Sequence, residues 1–365
     1  MHIYRPLVSV LLFIVLSSGI TLAQTEPKSL GEIARELREK KQAQPSMGVS
    51  APLSVKDGNL LGVDQYQQQI RQLLQQHDFA GLEKAAQEAQ SGKDRLVGGI
   101  WQLHTFYGSI GEPVTGNRAS DEDWSLHLRT VYSWIEAYPE SAKAREAMAD
   151  TLTSYAWHFR GSGYADTVSP DRWQLFENFI AAAKKQLTEA AKLKDKDAHW
   201  FEVMQEIALA QGWEKAKARA LLEEATAFAP DYYHYYQHYV TFLLPKWYGE
   251  DGEAEAFVEE ASKRMQGDQQ AFLYLKLAVW VNCQCGDDEV HMAHFSWARI
   301  KQGYAFMEKN YGSSNTHKNQ FAYMALLAQD KTAAREIFAR IGDNWDNSVW
   351  KDRQRFDQAR AWAMS

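Results

Sequence analysis

The chain has 365 residues, 45% of them hydrophobic and 24% charged, with 40 Lys and Arg against 47 Asp and Glu, a formal charge of -7. That is ordinary globular composition, long enough to bury a sizeable core, and it excludes disorder as the default. Nucleic acid is not expected as a partner, because neutralising phosphates needs concentrated Lys and Arg.

The first 23 residues read as a cleaved signal peptide: Arg5, then the ten-residue apolar run Leu7–Leu16, then small residues ending at Ala23. A membrane-spanning helix needs about 20 apolar residues, so no stable span is expected in the mature chain. No Cys follows the small residues, so lipoprotein acylation is not expected. The expectation is export, to a periplasmic or extracellular location. Loss of Arg5 with the leader makes the mature chain one unit more acidic. Residues 24–64 read as a flexible tether with one short amphipathic helix, LGEIARELREKK (30–41), whose Leu30, Ile33, Ala34 and Leu37 share a face.

From residue 65 to 365 the hydrophobic period is helical almost throughout, and no alternating strand pattern occurs. Helices are predicted at 65–76, 80–90, 95–110, 123–137, 142–159, 170–193, 197–211, 214–228, 231–243, 252–266, 270–281, 289–309, 318–328, 331–341 and 348–363. The longer loops fall near 111–122 and 160–169. Ser141, and Ser169 before Pro170, read as N-caps. Pro139, Pro230 and Pro245 each stop a helix, since proline restricts its predecessor and lacks the N–H donor.

Three segments, LLQQHDFAGLEKAA (73–86), LAQGWEKAKARALL (209–222) and LAQDKTAAREIFAR (327–340), share a helix end, a tight turn at Asp78, Gly212 or Asp330, and a new helix with small residues on one face. These are helix hairpins, and the alanines let antiparallel helices approach closely. No constant 34-residue spacing links them. The fold expected is therefore all-α: an irregular tetratricopeptide-like helical-hairpin solenoid of about 14–15 helices.

Several phrases occur together: Ala144 through RGSGYA (160–165), LLPKWYG (243–249), WARIKQGYAFMEKNYGSS (297–314), FAYMALLAQDKTAAREIF (321–338) and the close from Arg355 to Ala363. In that order they resemble bacterial proteins carrying domain of unknown function 4034, over about 66–365. The leader followed by SLGEIARELREKK is also similar to the start of secreted proteins from the same bacterial groups. What the resemblance implies is a tetratricopeptide-like helical domain with no established activity.

Two loops are candidate ligand-binding sites. Arg160 offers a forked donor for a carboxylate or phosphate with Tyr164 alongside; the plainer reading is a glycine-rich turn in which Arg160 holds helix-end carbonyls. Lys246, Trp247 and Tyr248 put a cation beside two rings, either a ligand platform or an aromatic plug between hairpins. Tyr232, Tyr235, Tyr236 and Tyr239 form one helical stripe with Tyr233 turned away, read as inter-hairpin packing. Cys283, Cys285, His291 and His294 do not have a standard zinc spacing, so no metal and no cofactor are expected. Asp121, Glu122 and Asp123 read as charge complementation at a helix start.

No GxSxG, HExxH or Walker phrase occurs. Catalysis is thus not assigned. The leading expectation is a scaffold that binds a protein, a peptide or an envelope component in an open groove. The alternative is a helical-toroid enzyme acting on glycans through a carboxylate pair, in a deep pocket rimmed by Trp or Tyr.

Overall fold

The computed structural model describes residues 62–161, 163, 165–284 and 292–365. The leader 1–23, the tether up to residue 61, Tyr164, Cys285 and His291 lie outside the described residues. The described part is all-α. Its helices are α1 (Val63–Gln75), α2 (Phe79–Gly92), α3 (Gln102–Gly108), α4 (Asp121–Ala137), α5 (Ala142–Arg160), α6 (Pro170–Ala190), α7 (Ala198–Ala210) and α8 (Lys215–Phe228). They continue as α9 (His234–Phe242), α10 (Glu253–Ser262), α11 (Gln269–Gln284), α12 (Trp297–Tyr311), α13 (Asn315–Leu327), α14 (Lys331–Ile341), α15 (Asn347–Trp350) and α16 (Arg353–Met364). Among the described residues there is no strand, only an isolated bridge between Arg95 and Trp101, and no helix is long and apolar enough to cross a membrane.

The three hairpin turns share one local chemistry. His77, Gly212 and Gln329 each adopt left-handed φ, at 55°, 61° and 55°. The next residue closes the old helix with a long backbone bond: Asp78 N to Leu73 O, Trp213 N to Ala208 O and Asp330 N to Ala325 O, at 2.9, 3.0 and 3.0 Å. That is a Schellman closure. Asp78 and Asp330 then cap the following helix by accepting from the N–H of Gly81 and Ala333. One residue thus ends one helix and starts the next, which makes the turn tight and the pair antiparallel.

Small residues decide which helices meet. Ala142, Ala144, Ala147, Ala149 and Ala156 of α5 are fully buried, as are Ala183 and Ala190 of α6, its neighbour. On α12, a Cβ at Gly303 would stand 2.2 Å from the Ala271 carbonyl of α11. Only glycine permits that approach.

The cap expected at Ser141 is present, its hydroxyl accepting from Ala144 N at 3.1 Å; Ser120, not anticipated as a cap, forms a capping box with Asp123. Ser169 precedes Pro170 at the first turn of α6, but its side chain makes no capping bond.

Three boundaries differ from expectation. The helix expected at 95–110 begins only at Gln102, because Gly98 and Gly99 take φ of 79° and 74° and turn the chain. That turn packs on α13, where a Cβ at Gly98 would fall 1.9 Å from the His317 ring. The helix expected at 348–363 is split at Lys351, with φ 69°, and Asp352 caps the second piece. The helix expected at 289–309 is broken within its described part: Met292 is helical, Phe295 N donates to Met292 O in a turn, and α12 opens at Trp297, while 289–291 lie outside the described residues.

Asp330 ties three elements together: its Oδ1 accepts from Ala333 N at 3.0 Å, and its Oδ2 from Trp297 Nε1 at 2.8 Å and Lys301 Nζ at 2.9 Å. These donors, the Ala333 N–H first, hold its carboxyl at about 2 against an ordinary 3.8. Its stabilisation is therefore complete above pH 3.8 and is lost as pH falls through about 2. Asp330→Ala should cost about 1–3 kcal/mol at pH 7 by denaturant unfolding, and the difference from wild type should vanish at the acid end of that window.

Candidate functional site

Behind the hairpins lies a cavity of about 1040 Å³, walled by the start of α1, the 97–100 turn, α3, α7, α9 and α11 to α13. Apolar residues such as Ile100, Leu275, Val279, Met307 and Met324 line much of it. The ionisable groups gather at its floor. They come from helical repeats of four: Glu202 and Glu206 lie one turn apart on α7, and His234 and His238 one turn apart on α9. His104 on α3 joins them.

Glu202 is the hub. Its side chain is 3% exposed, and four side chains surround its two oxygens. Oε1 lies 2.7 Å from His104 Nδ1 and 3.2 Å from His238 Nε2. Oε2 accepts from the Tyr232 hydroxyl at 2.7 Å and faces His199 Nδ1 at 3.2 Å. Burial alone would raise this carboxyl. The imidazoles outweigh it, His104 foremost, and Glu202 is held well below the usual carboxylate range.

His199 sits between two carboxylates, Nδ1 toward Glu202 and Nε2 toward Asp150 Oδ2 at 3.0 Å. Both nitrogens face acceptors, so both carry hydrogen, and His199 is a buried imidazolium. Burial opposes that charge, but Asp150 and Glu202 raise its pKa well above the ordinary value.

A second carboxyl pair lies deeper. The Tyr107 hydroxyl donates to Asp197 Oδ2 at 2.8 Å, its ring stacks on His199 at 4.1 Å, and Asp197 N points to Glu146 Oε1 at 3.4 Å. Burial, then the neighbouring Asp197, pushes Glu146 well above its usual range, so this carboxyl is held protonated.

Nearer the cavity, Glu206 Oε1 is 3.6 Å from His238 Nε2. Burial, helped by the Asp150 and Glu202 charges, raises Glu206 to about 7 against the pull of His238. The His104 and His234 rings stack at 3.6 Å and 11°. Burial, and then His104, lowers His234 well below its ordinary value and keeps it neutral. Lys276 on α11 also lines the cavity; it donates to Gly98 O at 3.4 Å and lies 5.0 Å from the Tyr233 ring centroid. Desolvation lowers its pKa to about 8.

Of the loop residues singled out from sequence, Arg160, Lys246, Trp247 and Tyr248 do not line this cavity, and Tyr164 lies outside the described residues. Arg160 Nη1 donates to the Gly161 and Gly163 carbonyls, both at 3.0 Å. Its guanidinium lies 5.4 Å from the rings of Trp157 and Trp247 and 5.9 Å from that of Trp173. Arg160 and Trp247 are therefore brought together. Lys246 Nζ donates to Gln284 O at 2.5 Å and the Tyr248 hydroxyl to Leu209 O at 2.9 Å, so both point elsewhere. Tyr232, Tyr235, Tyr236 and Tyr239 are buried, and it is Tyr233 that faces the cavity. Cys283 also lines the cavity, whereas its partners in the sequence pattern, Cys285 and His291, lie outside the described residues.

Sequence reasoning missed the floor. Its signal was the pair of four-residue repeats, Glu202/Glu206 and His234/His238, on helices of adjacent hairpins, hidden among tyrosines that draw the eye as packing.

The protonation states are testable by comparing two isosteric changes. Glu146→Gln resembles the protonated acid already present and should alter stability by less than about 1 kcal/mol. Glu202→Gln replaces an acceptor of four donors with a half-donor group and should cost about 2–5 kcal/mol, measured by denaturant unfolding.

Residues 66–212 match the family model described as Domain of unknown function (DUF4034). The match runs from α1 to the turn after α7. It contains His104, Asp150, His199, Glu202 and Glu206; His234, His238 and Lys276 lie beyond it, within the stretch where only the sequence phrases carry the resemblance. No curated protein and no solved structure matches the chain.

Proposed function

We propose that this chain is an exported binding module that takes an acidic peptide fragment of the cell envelope into its interior cavity. The carrying observation is the cavity itself, about 1040 Å³, with apolar walls, a His and Glu cluster and a half-buried lysine lining it. Its volume stands at the top of the range for ligand cavities, roughly 300–1,000 Å³. Lys276 suits a carboxylate, because it has one backbone acceptor at 3.4 Å and is half-buried. Glu206 and His238 suit amide or amine donors, and the apolar walls suit a small side chain. Export is part of the proposal and rests on the leader-like residues 1–23.

A second reading, glycan cleavage in the same cavity, is favoured by one observation: two carboxyls one turn apart on α7, of which Glu206 is held partly protonated beside the charged Glu202. Against it, both Glu202 oxygens are engaged, which leaves Glu206 as the acid with free lone pairs. Product release from soluble wall glycans, lost in Glu206→Gln, decides for this reading.

The binding proposal is tested by titrating short acidic peptides and their amidated counterparts by calorimetry, with the intrinsic tryptophan fluorescence, to which Trp280 in the cavity lining contributes, as a second signal. Carboxylate ligands should bind, and Lys276→Met should weaken them about 10- to 100-fold, with little effect on amides. Affinity should hold from pH 6 to neutrality and fall as pH rises through about 8, where Lys276, facing Tyr233, His234 and His317, loses its charge. An unchanged affinity in Lys276→Met sinks the proposal.

A further inference from the structure

The floor holds a donor set that neither helix packing nor an acidic peptide accounts for. His104, Glu202 and His234 each offer one ligand atom, and these atoms lie within 4.8 Å of one another. His234 is 5% exposed, lines the cavity, and its Nε2 has no hydrogen-bond partner. A buried imidazole nitrogen left without a partner is costly, and native interiors seldom keep one. The neighbouring histidines are satisfied: His104, His199 and His238 all reach Glu202. The orphan nitrogen therefore belongs to the group whose partner comes from elsewhere.

We propose that His104, Glu202 and His234 bind a divalent transition-metal ion of the Zn²⁺ class at the inner end of the cavity. Imidazole nitrogen and carboxylate oxygen are the donors such ions take, and a set of two histidines and one carboxylate leaves positions open toward the cavity for water or a ligand. Outer contacts are in place. The second oxygen of Glu202 is held by Tyr232 and His199, and His199 is anchored by Asp150. Such contacts orient a ligating carboxylate and sharpen affinity. The stacked rings of His104 and His234 set two imidazoles side by side at the carboxylate. A metal drawing on both opens the stack by rotation about χ2, a soft torsion in histidine.

The three ligands come from α3, α7 and α9, so the site closes only when these helices pack. Cys283 lines the same cavity, but neither it nor His294 belongs to this donor set. The inference rests on the cavity being the functional site, but metal uptake is read without any peptide. Failure to bind Zn²⁺ leaves the peptide reading standing, and failure to bind peptide leaves the metal reading standing.

The experiment uses the full-length chain, free of tags and stripped with a chelator, titrated with Zn²⁺ alone by calorimetry. One saturable equivalent is expected, together with a raised thermal midpoint. His104→Ala, a change at a partly exposed residue, should weaken binding about 10- to 100-fold. The double change Cys283→Ser with His294→Ala should leave it unaltered. Co²⁺ bound to wild type should show ligand-field bands without thiolate charge-transfer absorption, and this readout decides the matter even if His104→Ala does not fold. Absence of a saturable equivalent, indifference to His104→Ala in a folded variant, or a thiolate spectrum would each overturn the assignment.

Discussion

The arrangement of this domain depends on keeping one carboxylate charged in its interior. Removing the Glu202 charge from water costs several kcal/mol, on the order that a buried ion meets in real proteins, and only close partners on every lone pair offset it. Those partners come from three places in the chain: His104 on α3, His199 on α7 itself, and Tyr232 and His238 at α9. Holding them within hydrogen-bond reach sets how α3, α7 and α9 pack. The floor of the cavity is then a consequence of that packing.

Charge spreads from this hub in a connected way. His199 carries a proton because it is caught between Asp150 and Glu202, and Glu146 carries one because it is buried against Asp197. Two carboxyls in one core thus hold opposite protonation states, and the difference lies in what surrounds them: imidazole donors at Glu202, another carboxylate at Glu146. Networks of this sort are stable only when complete. The unpartnered nitrogen of His234 is the break in this one.

The loops distinctive in sequence act at the edges of the hairpins. Arg160 gathers two carbonyls of its own turn and three tryptophan rings, among them Trp247 from the loop after α9. Lys246 and Tyr248 fasten that second loop to α11 and α7. These contacts use the polar tips of amphipathic side chains to hold carbonyls, while their rings and stems cover apolar surface.

What the sequence determined by itself is the local layer. Helical period, the repeated turn at Asp78, Gly212 and Asp330, and the alanine faces are short-range properties, and they place nearly every helix within a few residues of its position in the structure. Where local reading erred, at Gly98, Lys351 and the start of α12, single backbone angles or a turn cut a helix whose side-chain period runs on. The resemblance carried by phrases such as RGSGYA is shown over 66–212 and left the activity open. Only the tertiary structure decided that His104, Glu202 and His234, separated by 98 and then 32 positions, meet at one point. An ionisable residue on a helix reads the same in sequence whether it faces water or a cavity, because its partners are chosen by how helices pack and not by its neighbours along the chain.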